Sequence, residues 1–189
     1  MGRTIFITGG CRSGKSAIAQ RIAEDLPAEK VYLATAPVLD EEMAQRIARH
    51  QADRGASGWR TLEETLDIAG VLARSEPTPT VLVDCMTLWI NNLMYEAEKT
   101  SGDITEDGIV VKCREIVAAC RQRSGAVIFV ANEVGMGIVP DNALSRRFRD
   151  LAGRCNQSLA AAADIVIFMV SGLPLYLKGN SVLPERNQE

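Results

Sequence analysis

Eight residues near the N-terminus, Gly9-Gly10-Cys11-Arg12-Ser13-Gly14-Lys15-Ser16, fit the pattern G-x-x-x-x-G-K-[ST]. Glycines in such a loop let the backbone take positive φ, so successive N–H groups point inward and cradle phosphate oxygens. A helix opening at Lys15 adds the partial positive charge of its N-terminus. Lys15 is then expected on the β/γ-phosphates, with the Ser16 hydroxyl on Mg2+. The flanks agree, because a β-branched and aromatic run, Thr4–Thr8, enters the loop and a helical pattern, Lys15–Leu26, leaves it. The ligand class is a nucleoside triphosphate. Asp84 ends the apolar run Thr80–Val83, where a phosphate-loop protein places a carboxylate that holds Mg2+ through water. An Asp at a strand end also serves as an ordinary helix N-cap; beside this loop the metal role is preferred.

His50 is the one histidine of the chain, so any histidine chemistry must use it. With Met43 and Ile47 it falls on one face of a helix expected over Glu41–His50. That spacing suits a half-buried histidine at a helix C-terminus, whose dipole favours the protonated ring and so opposes nucleophilic attack. Free imidazole titrates near ~6.5, which leaves a substantial neutral fraction at neutral pH. The residues alone favour the half-buried structural role and do not overturn it.

The elements that must position these groups alternate along the chain. Strand patterns are expected at Thr4–Thr8, Val31–Thr35, Trp59–Leu62, Thr80–Cys85, Ala126–Ala131 and Asp164–Val170. Helical patterns are expected at Lys15–Leu26, Glu41–His50, Leu66–Arg74, Leu88–Glu98, Ile109–Arg123 and about Asn142–Ala163. Near-continuous apolar strands separated by helices imply an α/β fold with a mostly parallel sheet covered on both faces. With the phosphate loop this means a P-loop NTPase with a RecA-like core. No internal repeat, linker or low-complexity tract interrupts the pattern, so residues 1–189 read as a single catalytic domain whose last residues, about 179–189, form a polar tail.

Composition narrows the function. At 189 residues, 47% hydrophobic and 24% charged, the chain sits in the globular range. A net charge of −3 gives no overall attraction to nucleic acid or to an anionic membrane. The longest apolar run, Leu159–Leu173, is broken by Asp164, Ser171 and Gly172 and falls short of the ~20 residues that span a bilayer. No signal peptide is expected, and the five cysteines (Cys11, Cys85, Cys113, Cys120 and Cys155) form no C-x-x-C pair. An odd count of this kind suits reduced thiols and a cytoplasmic location.

Five stretches in order carry a more specific signal: GGCRSGKS, LATAPVLDEEMAQRIARHQADR, WRTLEE, VLVDCMTLWINNLM and ANEVGMGIVPDNALSRRFRDLAGRCNQSLAAAADIVIFMVSGLPLYLK. Together they resemble the bifunctional adenosylcobinamide kinase/adenosylcobinamide-phosphate guanylyltransferases of cobalamin biosynthesis, over about Ile5 to Lys178. The resemblance implies that ATP or GTP phosphorylates the hydroxyl of the aminopropanol arm of adenosylcobinamide. GMP from GTP is then joined to the phosphate of adenosylcobinamide-phosphate, giving adenosylcobinamide-GDP and pyrophosphate. It also implies that a histidine carries the GMP, and His50 stands at the matching position, in R-I-A-R-H before Q-A-D-R. Imidazole suits that role chemically, since one difficult displacement becomes two easier ones. Lys15 and Ser16, with Mg2+, would stabilise the leaving pyrophosphate.

Further nucleotide contacts implied by the family fall on Ala34, Thr35 and Ala36 after the second strand, on Gln51, Ala52, Asp53 and Arg54, and on Glu63. Read without the family, these are a strand end, a helix-end turn and a surface carboxylate. Cys11 stands where many relatives carry a smaller alanine, a position that needs only a backbone N–H. The family also forms homotrimers with active sites near subunit boundaries. After Pro140, Leu144, Phe148, Leu151, Cys155, Leu159 and Ala162 form a core stripe, with Arg146, Arg147, Arg149 and Arg154 largely off it. Those arginines read as a solvated face or as a grip on substrate phosphate or a neighbouring subunit. Gly135–Pro140 reads as a mobile loop over the site.

Two rival readings remain. A small-molecule kinase without nucleotidyl transfer needs the phosphate loop and Asp84 but not His50. A P-loop switch or motor module hydrolyses the γ-phosphate and transfers nothing, and Glu133 in ANEVG would suit its catalytic carboxylate.

Overall fold

A computed structural model describes residues 2–36 and 58–182 of the chain. Seven strands form one sheet: β1 (Thr4–Gly9), β2 (Lys30–Ala34), β3 (Trp59–Glu63), β4 (Thr80–Asp84), β5 (Val127–Val130), β6 (Ile165–Val170) and β7 (Leu173–Lys178). The described helices are α1 (Lys15–Asp25), α2 (Ile68–Arg74), α3 (Met86–Lys99), α4 (Glu106–Arg121) and α5 (Ala143–Ala162). Strand order is β3-β2-β4-β5-β1-β6-β7, and every pairing is parallel except β6 with β7. The α/β expectation is met, with element ends within three residues of the sequence patterns. The helix expected at Glu41–His50 lies outside the described residues.

Period-two alternation sorts the core into two layers. Ile5 and Ile7 of β1, Leu82 of β4 and Ile128 and Val130 of β5 face α1, which contributes Ile18, Ala19, Ile22 and Ala23. Phe6, Val81, Val83, Val127 and Phe129 face the opposite way, against Leu72 of α2, Trp89 and Ile90 of α3, Ile116 of α4 and Leu159 of α5. Strands buried on both sides explain why their sequences read as continuous apolar runs. One buried cation braces the far edge: Arg123 donates to the carbonyls of Leu72 and Pro79 and to the Ser75 hydroxyl, at 3.0, 3.2 and 2.8 Å.

β7 was not expected from the sequence. Ser171 and Gly172, at φ 50° and 84°, make a two-residue turn of the tight hairpin kind, and the chain folds back antiparallel on β6. Leu-Pro-Leu-Tyr-Leu-Lys alternates, but Leu173, Leu175 and Leu177 are exposed, so its apolar period does not mark a buried face. A proline inside the run also argues against a strand unless that strand lies at an edge, where β7 does lie.

The α5 stripe needs one correction. Leu151, Cys155 and Leu159 are buried as expected, but Leu144 is 63% exposed. A helix of 20 residues spans about 30 Å, far longer than a strand of four to six residues. Its first turn therefore overhangs the edge of the sheet.

Candidate active site

In a parallel sheet the C-terminal ends of the strands share one edge, and the loops leaving them build the site. β1 ends at Gly9, whose φ is 146°, and a Cβ built there would collide with the carbonyl oxygen of Met169 on the neighbouring strand. Gly14, at φ 94°, is the left-handed residue that caps α1. No side chain caps α1, and its first turn holds no acidic residue. Asp67, Thr105 and Asn142 accept hydrogen bonds from the first turns of α2, α4 and α5, whereas α3, like α1, has no side-chain cap. The amides opening α1 are left for an anion.

The loop, the start of α1 and the end of β4 enclose a cleft of about 560 Å3. Its lining includes Cys11, Arg12, Ser13, Gly14, Lys15, Ser16, Asp84, Cys85 and Asn132. Gly9 and Gly10 are the turn that leads into it. Lys15 is only 7% exposed, and its Nζ donates to the Gly10 carbonyl at 2.6 Å and to the Ser13 hydroxyl at 3.4 Å. Burial lowers the pKa of this ammonium, opposed by the nearby Cys11, Cys85 and Asp84. A buried, under-solvated cation at a helix N-terminus is built to gain from a phosphate.

Asp84 reaches the same cleft because β5 alone separates β4 from β1. Two strand spacings put it about 10 Å across the sheet from the loop, and Tyr32 donates a hydrogen bond to its Oδ2 at 3.1 Å. Cys85, next to it, is buried, and burial together with Asp84 pushes its thiol pKa up. Cys11 is the exposed cysteine, while the other four are buried.

The remaining expected contacts divide. Ala34 ends β2 beside Asp84 in register, with Thr35 and Ala36 following it. Thr35 is completely buried, and its hydroxyl donates to the Cys85 carbonyl and accepts from the Cys85 N–H, both at 2.8 Å. Asn92 of α3 then donates to the Thr35 carbonyl at 2.7 Å. The Thr35 side chain thus ties the ends of β2 and β4 together, so its hydroxyl is not presented to a ligand. Glu63 ends β3, one strand beyond β2, exposed at the same edge. His50, Gln51, Ala52, Asp53 and Arg54 lie outside the described residues.

The arginines of α5 are engaged within the chain. Arg146 donates to the carbonyls of Pro140 and Asp141, at 3.0 and 2.6 Å. Arg147 bonds the Ile104 carbonyl and pairs with Asp103, and Arg154 lies 3.2 Å from Glu106. Arg149 lies 3.7 Å from Asp150. Arg146 and Arg147 fasten the overhanging start of α5 to the segments before it and before α4, and Arg154 ties the middle of α5 to the first residue of α4. In the loop ahead of α5, Met136, Ile138 and Val139 are exposed.

A family model described as cobinamide kinase / cobinamide phosphate guanyltransferase matches residues 5–177. The chain belongs to this family. It is similar to the bifunctional adenosylcobalamin biosynthesis protein CobU of Salmonella typhimurium, 42% identical over 92% of this chain and 99% of the relative. CobU of Escherichia coli K12 is 39% identical over the same shares. The bifunctional protein CobP of Pseudomonas aeruginosa is 42% identical over 92% of this chain and 96% of its own length. Among solved structures, an ATPase of the type III secretion system of pathogenic bacteria superposes with a TM-score of 0.57 at 12% identity, covering 93% of this chain and 57% of that one. That likeness is one of fold, and it agrees with the P-loop architecture expected from the sequence.

Membership of this family decides between the rival readings, since its members are both kinase and guanylyltransferase. No helix among the described residues is long and apolar enough to cross a membrane. Asn132 was missed by the sequence reading. Its signal, a polar residue directly after a buried strand, acquires meaning only once β5 is known to lie between the loop strand and Asp84.

Proposed function

We propose that this chain phosphorylates adenosylcobinamide with ATP or GTP, then transfers GMP from GTP to adenosylcobinamide-phosphate through a guanylylated His50. The observation that carries the reading is the pairing of a continuous family match over residues 5–177 with a cleft that unites Lys15, Ser16 and Asp84. The loop amides and Lys15 hold the β- and γ-phosphates in both reactions. In the first, they stabilise charge on the transferring phosphoryl group; in the second, they stabilise the leaving pyrophosphate. His50 forms a bond to the α-phosphorus as the bond to the bridging oxygen breaks. The phosphate of adenosylcobinamide-phosphate then displaces the imidazole and takes the GMP.

Ser16 and Asp84 are hard oxygen donors that line one cleft, the donor chemistry that suits Mg2+. Among the described residues no cluster of three or more His, Cys, Asp or Glu forms a protein-only metal cage, which accords with an ion held largely by phosphate and water. Bound there, Mg2+ would neutralise phosphate oxygens. Gln51, Ala52, Asp53, Arg54, Ala36 and Glu63 are assigned to the nucleotide on the family resemblance. Assembly as a homotrimer and a cytoplasmic location complete the reading.

The test is to supply adenosylcobinamide, Mg2+ and GTP and to follow the corrinoid by mass. The expected sequence is gain of one phosphoryl group, then of one GMP with release of pyrophosphate. Phosphorylation without the second gain would leave a simple kinase, and hydrolysis of GTP with an unchanged corrinoid would point to a switch or motor.

A further inference from the structure

Asn132 lines the cleft, and the function proposed above gives it no role. We propose that Asn132 is a catalytic residue of phosphoryl transfer, its side-chain amide donating to an oxygen of the γ-phosphate as that group moves. The proposal rests on the kinase half of the function proposed above.

The sheet places the residue. β5 lies between β1, which carries the phosphate loop, and β4, which ends in Asp84. The chain leaving β5 stays joined to β1: Ala131 N–H donates to the Ile7 carbonyl at 3.0 Å, and Glu133 N–H to the Gly9 carbonyl at 2.9 Å. Asn132 lies between these two bonds, just past the end of the strand that separates β1 from β4.

Its main chain is pinned from two helices. The Asn132 N–H donates to the Thr87 hydroxyl of α3 at 2.6 Å, and its carbonyl accepts from the Asn156 amide of α5 at 3.3 Å. The Asn132 side chain makes no hydrogen bond to another described residue, and it lines the cleft with Lys15, Ser16 and Asp84. A half-buried amide with a fixed backbone and an unused donor is preorganised for an anion. The adjacent carboxylate is directed elsewhere: Glu133 accepts from the Gly135 N–H at 2.7 Å and does not line the cleft.

The step balances without a new reagent. The substrate hydroxyl oxygen bonds to the γ-phosphorus as the bond to the β,γ-bridging oxygen breaks. That electron pair leaves on the nucleoside diphosphate, and the hydroxyl proton passes to solvent. Charge spreads over the three equatorial oxygens during transfer, so a fixed N–H stabilises the transition state more than bound triphosphate. Thr87 and Asn156 act through Asn132 and are positioning residues.

The experiment measures transfer of γ-labelled phosphate from GTP to adenosylcobinamide, together with the affinity for a non-hydrolysable triphosphate and thermal melting. Asn132→Ala is expected to lower kcat about 100-fold, with KM for GTP, analogue affinity and melting temperature close to wild type. Thr87→Ala and Asn156→Ala are expected to lower kcat by smaller factors, and Thr87→Ser to restore it. An active wild type with unchanged kcat in Asn132→Ala would overturn the role. So would a loss traced wholly to weaker analogue binding or a lower melting temperature. A wild type that binds the analogue but transfers no label would refute the kinase reading itself, and this role with it.

Discussion

Lys15→Ala is expected to abolish both reactions together, with kcat/KM for each falling on the order of 1000-fold. The reason is geometric and electrostatic. Lys15 is buried at the opening of α1, where its ammonium is poorly solvated and, among the described residues, bonded only to the loop's own Gly10 carbonyl and Ser13 hydroxyl. In the proposed mechanism both reactions place the β- and γ-phosphates on this loop, so one substitution would remove the same cation from two transition states. The fold should tolerate the change, because Lys15 has no carboxylate partner within salt-bridge distance among the described residues and the core of α1 is made by Ile18, Ala19, Ile22 and Ala23. Lys15→Arg is not expected to restore activity, since a planar guanidinium fork does not fit a site shaped for a compact ammonium. Steady-state rates of each half-reaction, beside a melting curve, check all three statements. Loss of one activity with the other intact would show that the two reactions do not share the loop.

His50→Ala is expected to separate the activities. Guanylyl transfer should fall by at least about 10⁴-fold, as when a covalent nucleophile is removed. Phosphorylation of adenosylcobinamide should stay within a few-fold of wild type, because in the proposed mechanism the γ-phosphoryl group passes directly from nucleotide to hydroxyl. The variant should therefore accumulate adenosylcobinamide-phosphate from GTP. Equal loss of both activities would mean that His50 supports nucleotide binding as a whole and is not the carrier of GMP.

Much of this site was legible in the sequence because its chemistry is local. The phosphate loop depends on glycines and a Lys-Ser pair within eight residues, so the chain alone displays it. Asp84 follows from the apolar strand it ends. Asn132 could not be read in the same way, because its meaning comes from a neighbour relation in the sheet, β4-β5-β1, between strands distant in the chain. Thr35 shows the converse. The resemblance places it among the nucleotide contacts, yet its hydroxyl is consumed by both backbone groups of Cys85, a partner 50 residues away.

The fold divides along the same line. Continuous apolar strands and amphipathic helices announced a parallel sheet covered on both faces; β1 to β6 pair in parallel, and β1, β4, β5 and β6 carry the buried apolar runs. β7 escaped notice because an edge strand with exposed leucines and a proline has no buried face to set its period. Leu144 was misplaced for a related reason. Helical spacing gives the face on which a residue lies, but not whether the sheet extends far enough to cover it.

The measurement closest to the central claim uses GTP labelled at either the α- or the γ-phosphate. Each is incubated with the protein and Mg2+ in the absence of corrinoid, and the protein is then run on a denaturing gel. Wild type is expected to carry α-label, labile to acid and stable to alkali as a phosphorus–nitrogen bond requires, with no γ-label and no label on His50→Ala. Wild type that binds GTP yet retains neither label, or α-label that persists on His50→Ala, would contradict transfer of GMP through His50.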